Sequence, residues 1–213
     1  MNEEKYKNMT NEQKQQCDLC YDWGFCHCKE CDINDRKDNN MKRIAQFYKV
    51  SYEQFKEGFV DCFGDTSEEK IKKAYEDLKL PKRATTGSAG YDFYAPVNIT
   101  LAPGESIKIP TGIRVKMDDG WVLKCYPRSG LGFKFRLQLN NTVGIIDGDY
   151  CYSDNEGHIF AKLTNDSREN KTLNVEKGNG FMQGIFVEYG ITFDDDVTDI
   201  RNGGFGSTTK SIH

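Results

Sequence analysis

From residue 84 onward apolar side chains recur at every second position, which is the period a strand with one buried face requires. Ile107, Ile109, Ile113, Val115 and Met117 alternate with polar residues, and short runs follow at Trp121 to Tyr126, Leu137 to Val143, His158 to Thr164 and Phe181 to Tyr189. Asp119-Gly120, between two of these runs, has the composition of a hairpin turn. Many short strands at near-regular spacing predict a mainly β fold over residues 81–200, an antiparallel sandwich or jelly-roll barrel. No internal repeat is visible.

Upstream the texture changes twice. Residues 41–80 carry helical spacing: Ser51 with Gln54 fits a capping box ahead of Tyr52, Phe55, Phe59 and Phe63, and Thr66 with Glu69 fits a second ahead of Ile71, Ala74, Tyr75 and Leu78. Two short amphipathic helices are expected there, the second stopped by Pro81. Residues 1–40 are polar and cysteine-rich, with almost no aliphatic core, so something other than burial must fold them. Residues 201–213 are rich in glycine and hydroxyl side chains and read as a mobile arm.

The 213 residues leave room for one well-cored domain and a smaller appendage, and the formal charge of -4 supplies no global attraction for nucleic acid or an anionic membrane. Residues 1–16 contain no apolar core of an export signal, and no window has the apolar length of a membrane span, so a cytoplasmic location with reduced thiols is expected. Of the eight cysteines, Cys17, Cys20, Cys26, Cys28 and Cys31 crowd one segment. Cys17-x-x-Cys20 and Cys28-x-x-Cys31 can ligate a tetrahedral Zn²⁺, with Cys26 and His27 as alternates; free thiols on a disordered tail are the competing reading.

Three segments have compositions suited to chemistry. Pro127-Arg128-Ser129-Gly130-Leu131-Gly132 follows a strand and combines a guanidinium, a hydroxyl and glycines that admit a ligand to backbone N–H groups, as a phosphate site would; an ordinary Pro/Gly turn has the same composition. Gly144-Ile145-Ile146-Asp147-Gly148-Asp149-Tyr150 sets a carboxylate and an aromatic ring three residues apart, a pair able to hold a water and stack on a sugar, or simply a strand exit into a turn. Gly203-Gly204-Phe205-Gly206-Ser207-Thr208-Thr209 lacks the Gly-Lys-Ser/Thr ending of a Walker loop; Phe205 has no core to join and suits a ligand cover, unless the segment is a disordered tail. The histidines are His27, His158 and His213, and none is visibly paired with a Ser or Cys nucleophile, so a carboxylate such as Asp147 is the expected base.

Residues 84–209 resemble the homotrimeric dUTP pyrophosphatases (dUTPases). The resemblance lies in Ser88-Ala89-Gly90-Tyr91-Asp92-Phe93-Tyr94-Ala95, Pro127 to Gly132, Asn141 to Tyr150, Lys177-Gly178 through Gln183, and Gly203 to Thr208, in the family's order. It implies a trimer of β-barrels with active sites between subunits, closed by the C-terminal arm, which hydrolyses dUTP to dUMP and pyrophosphate with Mg²⁺ bridging the phosphates. Such an enzyme limits uracil incorporation into DNA and supplies dUMP. Asp147 would activate the water that attacks the α-phosphorus, and Asp92 would support the metal region. Arg128, Ser129, Gly130 and Gln183 would hold the phosphates. Asn141 and the backbone near Ile145 and Ile146 would read uracil, and Tyr150 would pack under the deoxyribose. Phe205 would stack on the base, with Arg201, Gly206, Ser207 and Thr208 at the terminal phosphates.

This chain departs from the family's pattern in four places. Cys151 to Glu156 inserts residues where the family commonly continues Arg-Gly-Glu, Gly180 stands where an Arg is usual, and the last motif is one residue shorter between Arg201 and Gly204, with Thr209 in place of Gly. Residues 1–80 lie mostly outside the resemblance. Within the same fold the rival is a dCTP deaminase-like enzyme, which lacks a closing Gly-Gly-Phe-Gly-Ser-Thr arm. From another class it is a regulatory scaffold whose cysteine-rich extension binds a partner protein. Nine acidic against six basic residues in positions 1–40 disfavour direct nucleic-acid binding by that extension.

Overall fold

The computed structural model describes residues 42–199. Within them the alternating runs become strands β2 (Lys82–Arg83), β3 (Tyr91–Tyr94), β4 (Ile99–Leu101), β5 (Ser106–Pro110), β6 (Ile113–Met117), β7 (Trp121–Pro127), β8 (Leu137–Leu139), β9 (Gly144–Ile146), β10 (Phe160–Asn165), β11 (Leu173–Val175) and β12 (Gly180–Glu188). The largest sheet has the order β2-β3-β12-β7-β9, and smaller sheets pair β5-β10-β8 and β11-β4, all antiparallel. Their inward residues, including Phe93, Ile99, Ile109, Leu123, Leu163, Leu173 and Phe181, are at most 1% exposed and form one core. This is the mainly β, jelly-roll-like architecture that the period of two predicts.

Two expectations need correction. A strand, β1 (Ala45–Lys49), precedes the helices and pairs with β6 from Ala45↔Met117 to Lys49↔Ile113, so residues 45–49 belong to the barrel rather than to a helical segment beginning at 41. β6 thus takes β1 as its partner instead of β7. Asp119-Gly120 does form a turn, with Gly120 at φ 80°, but it carries the chain into a different sheet, where β7 pairs with β12 and β9.

The helices α1 (Tyr52–Phe63) and α2 (Glu68–Glu76) have a core of their own: Val50, Phe55, Phe59, Ile71, Ala74 and Leu78. Ser51 caps α1 by accepting the Gln54 N–H at 3.2 Å, but the reciprocal bond of a capping box comes from Glu156, whose carboxylate accepts the Ser51 N–H at 2.8 Å. The N-cap position of α2 is Ser67 rather than Thr66, with no side-chain capping bond, and the helix ends at Glu76, before Pro81. The helical pair lies on the barrel where there is no room for side chains. A Cβ on Gly58 would come within 2.8 Å of the Phe160 ring and 2.9 Å of the His158 ring, and one on Gly112, already at φ 70°, would strike Leu78 and Phe55. Among the described residues no helix is long and apolar enough to cross a membrane.

Candidate active site

Three segments far apart in sequence meet at one end of the large sheet. Gln183 on β12 stands opposite Asp92 on β3 on one side and opposite Tyr126 on β7 on the other, two residues before Arg128. Arg128 Nε lies 3.2 Å from the Asp92 carboxylate, and the Gln183 amide donates to the Pro127 carbonyl at 3.4 Å. The Arg128 side chain is 45% exposed, so the pair is exchangeable: an incoming anion can compete for the guanidinium. Ser129 and Gly130 open a short helix, α3 (Ser129–Phe135), and both are exposed beside it. Gly180 has a definite packing role, since a Cβ there would sit 2.9 Å from Arg128 Nη1 and 3.0 Å from its Cδ. The guanidinium occupies space that a side chain at position 180 would fill.

The segment from Asn141 to Tyr150 makes a separate cluster. Asn141 and Thr142 turn the chain out of β8, with Val143 N–H donating to the Asn141 carbonyl at 2.7 Å and Thr142 in the left-handed region at φ 66°. In β9, Gly144 and Ile146 face inward while Ile145 is 47% exposed. Gly144 lies against Cys125, where a Cβ would meet the Cys125 Cβ at 3.1 Å. Asp147, partly exposed, precedes a 3₁₀ turn over Gly148–Tyr152, and its carbonyl accepts the Tyr150 N–H at 3.2 Å. Tyr150 is only 4% exposed; its hydroxyl donates to the His158 carbonyl at 2.8 Å and accepts from the Asn155 amide at 2.9 Å. A cavity of about 390 Å³ opens beside the turn between β8 and β9, floored by Cys125, Leu139, Ile146 and Met182 and edged by Asn140, Asn141, Lys108 and Lys162. An apolar floor with amide and ammonium groups at the edge suits a flat ring with polar edges.

The two clusters adjoin at the cavity, where Asn141 and Met182, the neighbour of Gln183, share the lining, but Asp147 and Arg128 do not meet within the chain. Leu123 pairs with Ile146 and Cys125 with Gly144, so Asp147 leaves β9 near the start of β7 while Arg128 lies past its end. Six strand residues separate the two levels, roughly 20 Å at the rise of an extended chain.

Asn140, Lys108, Lys162, Asn155 and Glu156 were not singled out by the sequence. Lys108 and Lys162 stand directly opposite each other on β5 and β10, a like-charge pairing that costs stability unless neutralised, and Asp61 of α1 meets Lys108 at 2.6 Å. Only non-local pairing reveals this. His158, by contrast, is 0% exposed between Phe55 and Phe160, and its Nε2 accepts the Gly112 N–H at 2.9 Å. Burial pulls its pKa down to about 4, with Glu156 opposing. That environment gives it a structural rather than a basic role.

The candidate zinc ligands Cys17, Cys20, Cys26, His27, Cys28 and Cys31, and the candidate arm residues Arg201, Phe205, Gly206, Ser207 and Thr208, lie outside the described residues. Among the described residues no group of three or more His, Cys, Asp or Glu is placed to hold a metal by itself.

A β-barrel with a carboxylate, a guanidinium and an amide at one sheet end, and a polar-edged cavity beside a turn, has the makings of a nucleotide site. Comparison with known proteins specifies it: the dUTPase family model matches residues 76–209, and the chain belongs to the dUTPase family. A deoxyuridine 5'-triphosphate nucleotidohydrolase of Lactococcus lactis is 42% identical over 134 residues, covering 62% of this chain and 88% of that protein. The Escherichia coli protein of the same name is 37% identical over 143 residues, 63% of this chain and 90% of its own length. Among solved structures, the dUTPase of Streptococcus mutans is 33% identical, covers 68% of this chain and 97% of its own, and superposes with a TM-score of 0.50. A phage phi11 dUTPase of S. aureus, described with a structural Mg(II) ion, shares the fold at 19% identity and a TM-score of 0.50.

Proposed function

We propose that this protein hydrolyses dUTP to dUMP and pyrophosphate in the cytoplasm, with Asp147 as the base that activates the attacking water. The observation that carries the reading is the convergence of Asp92, Arg128 and Gln183, from three family motifs, at one end of the sheet. Attack on phosphorus adds charge to oxygens already negative, so a guanidinium, amide donors and the backbone N–H groups at Ser129 and Gly130 stabilise what develops there. Asn141 and the chain at Ile145 and Ile146 hold the uracil edge beside the cavity. Buried Tyr150 presents a wall to the sugar, on which a 2′-OH finds no space, and a base with the wrong edge leaves polar groups unpaired.

Asp147 and Arg128 stand at opposite ends of β7, and this supports a homotrimer in which one subunit's Asn141–Tyr150 segment faces another's Asp92, Arg128 and Gln183. The stretch after β12 is consistent with that assembly: Ile191, Phe193 and Val197 are 75%, 114% and 74% exposed, apolar surface that a second subunit would cover. The arm with Arg201, Phe205, Gly206, Ser207 and Thr208 would close each site.

The residues present suit Mg²⁺. This ion takes one or two carboxylates and the substrate's own phosphates rather than an all-protein cage, and Asp92, with a side chain 18% exposed, is the carboxylate nearest the phosphate-binding Arg128. When bound, the ion would neutralise phosphate charge and polarise the bond to be broken. Asp92 would hold it there, and Arg128 would turn from Asp92 to the phosphates.

Product analysis with dUTP, dCTP, dTTP and UTP tests the reading. Release of dUMP and pyrophosphate from dUTP alone is expected; ammonia from dCTP would replace it with a deaminase. Asp147→Asn is expected to lower kcat by about 10²- to 10⁴-fold, and turnover at the wild-type rate would remove Asp147 from the mechanism.

A further inference from the structure

The inserted segment Cys151–Glu156 joins Tyr150 to the helical pair through a continuous set of hydrogen bonds. Asn155 donates its amide to the Tyr150 hydroxyl at 2.9 Å, and its Oδ1 accepts the Gly157 N–H at 3.1 Å, which fixes the orientation of the amide. The next residue, Glu156, holds the Ser51 N–H and hydroxyl at the start of α1 and faces Arg114 at 3.7 Å; Arg114 in turn donates to the Cys151 carbonyl. The backbone is tightly constrained there. Glu156 and Gly157 both have positive φ, 57° and 70°, and a Cβ on Gly157 would come within 2.6 Å of Cys151 Cα and 2.8 Å of the Tyr150 carbonyl. The Tyr150 hydroxyl, which also donates to the His158 carbonyl at 2.8 Å, is therefore held from two sides, one of them the insertion.

We propose that Asn155 is a positioning residue for sugar selection: it holds the Tyr150 ring in the place where the ring excludes a 2′-OH, and the Glu156–Ser51 contact anchors it to α1. The inference rests on the reading of Tyr150 as the wall beneath the deoxyribose. A wall that discriminates one hydroxyl must be fixed to a fraction of an ångström, and a tyrosine held by its ring alone can tilt about its side-chain bonds. Two hydrogen bonds at the far end of the ring remove that tilt. Asn155 touches no substrate in this scheme; it acts through Tyr150.

The test is steady-state kinetics on the full-length protein with dUTP and UTP. Asn155→Asp keeps the oxygen that accepts from Gly157 but replaces the donor to Tyr150 with an acceptor, so the single hydroxyl proton cannot serve both the new carboxylate and the His158 carbonyl. It is expected to lower the ratio of kcat/KM for dUTP over UTP by about fivefold, the size of one net hydrogen bond, with KM for dUTP changing more than kcat. Tyr150→Phe removes that bond from its other end together with the bond to the His158 carbonyl, so adding Asn155→Asp to it is expected to change the ratio no further. A wild-type ratio in Asn155→Asp, or an effect that adds in full to that of Tyr150→Phe, overturns the proposal. Tyr150→Leu separates this outcome from failure of the premise. If it too keeps the wild-type ratio, Tyr150 is not the sugar wall; if it lowers the ratio while Asn155→Asp does not, only the positioning role falls.

Discussion

The two ends of β7 are built differently. At the Arg128 end, side chains from β3, β7 and β12 are placed by strand register, remain partly open to solvent, and pair through an exchangeable ion pair at 3.2 Å. At the Asp147 end there is little regular strand. A 3₁₀ turn, an insertion and a buried histidine hold Tyr150 through hydrogen bonds, and two helices pack behind them. Charge acts over several ångströms and tolerates small displacements. Exclusion by shape does not, so the end proposed to judge the sugar needs the heavier support.

The sharpest way to break this comparison is to remove one group from each end in separate chains. Arg128→Ala and Asp147→Asn alone are each expected to lose at least about 100-fold in kcat. Co-assembled from equal amounts, they should recover about a quarter of wild-type turnover, because in a trimer with shared sites one site in four draws both intact residues from different subunits. No recovery on mixing would mean that both ends of one site belong to one chain, despite the 20 Å or so of strand between them.

Support of the Asp147 end by the helices predicts an effect on stability. Phe55 is 0% exposed and packs against Phe59, Tyr75 and His158. Phe55→Ala is expected to cost about 3–5 kcal/mol in denaturant unfolding, and in the folded fraction KM for dUTP should rise while phosphate-end contacts persist. An unchanged KM would make the helical pair an appendage with no part in the site.

A smaller effect follows from His158. Its folded pKa of about 4 lies below the ordinary imidazole value of 6.5, so the unfolded chain binds the proton more tightly, and stability rises with pH across that interval. Its contribution is complete above about pH 6.5 and is lost as pH falls toward 4. Between pH 7 and pH 5 the loss should be about 2 kcal/mol at fixed protein concentration. His158→Gln should flatten that slope, and an unchanged slope would assign it to other groups.

Much of the barrel was legible because β5, β6 and β10 repeat the two-residue period, β7 and β12 stand out as short apolar runs, and α1 announces itself through Ser51 and its aromatic spacing. β1 was not, since in Ala45–Lys49 only Phe47 is buried and a single inward side chain makes no period. Asp119-Gly120 forms the turn its composition predicts but not a hairpin, because turn chemistry is local while the choice of strand partner is not. At the candidate site, Asp147, Tyr150 and Arg128 carry motif signals. Asn155 and Glu156 carry none; they are polar residues in an insertion, and Glu156 caps a helix whose Ser51 lies 105 residues away in sequence.

The smallest expected effect tests the Arg128 end. Gly180 has no positive φ, so its backbone accepts alanine, and the atoms nearest the new Cβ, at 2.9 and 3.0 Å, belong to the Arg128 side chain. A flexible, partly exposed side chain can move aside, and the ion pair it leaves contributes little, so unfolding of Gly180→Ala should change by less than about 0.5 kcal/mol. If the guanidinium binds phosphate from the place it now occupies, KM for dUTP should still rise by roughly two- to fivefold, with the dUTP over UTP ratio preserved because both substrates carry the same phosphates. A shifted ratio would join the two ends that the fold keeps apart. An unchanged KM would mean that Arg128 leaves Gly180 before it binds, and that the family's usual Arg at this position was lost without Gly180 acquiring a role in substrate binding.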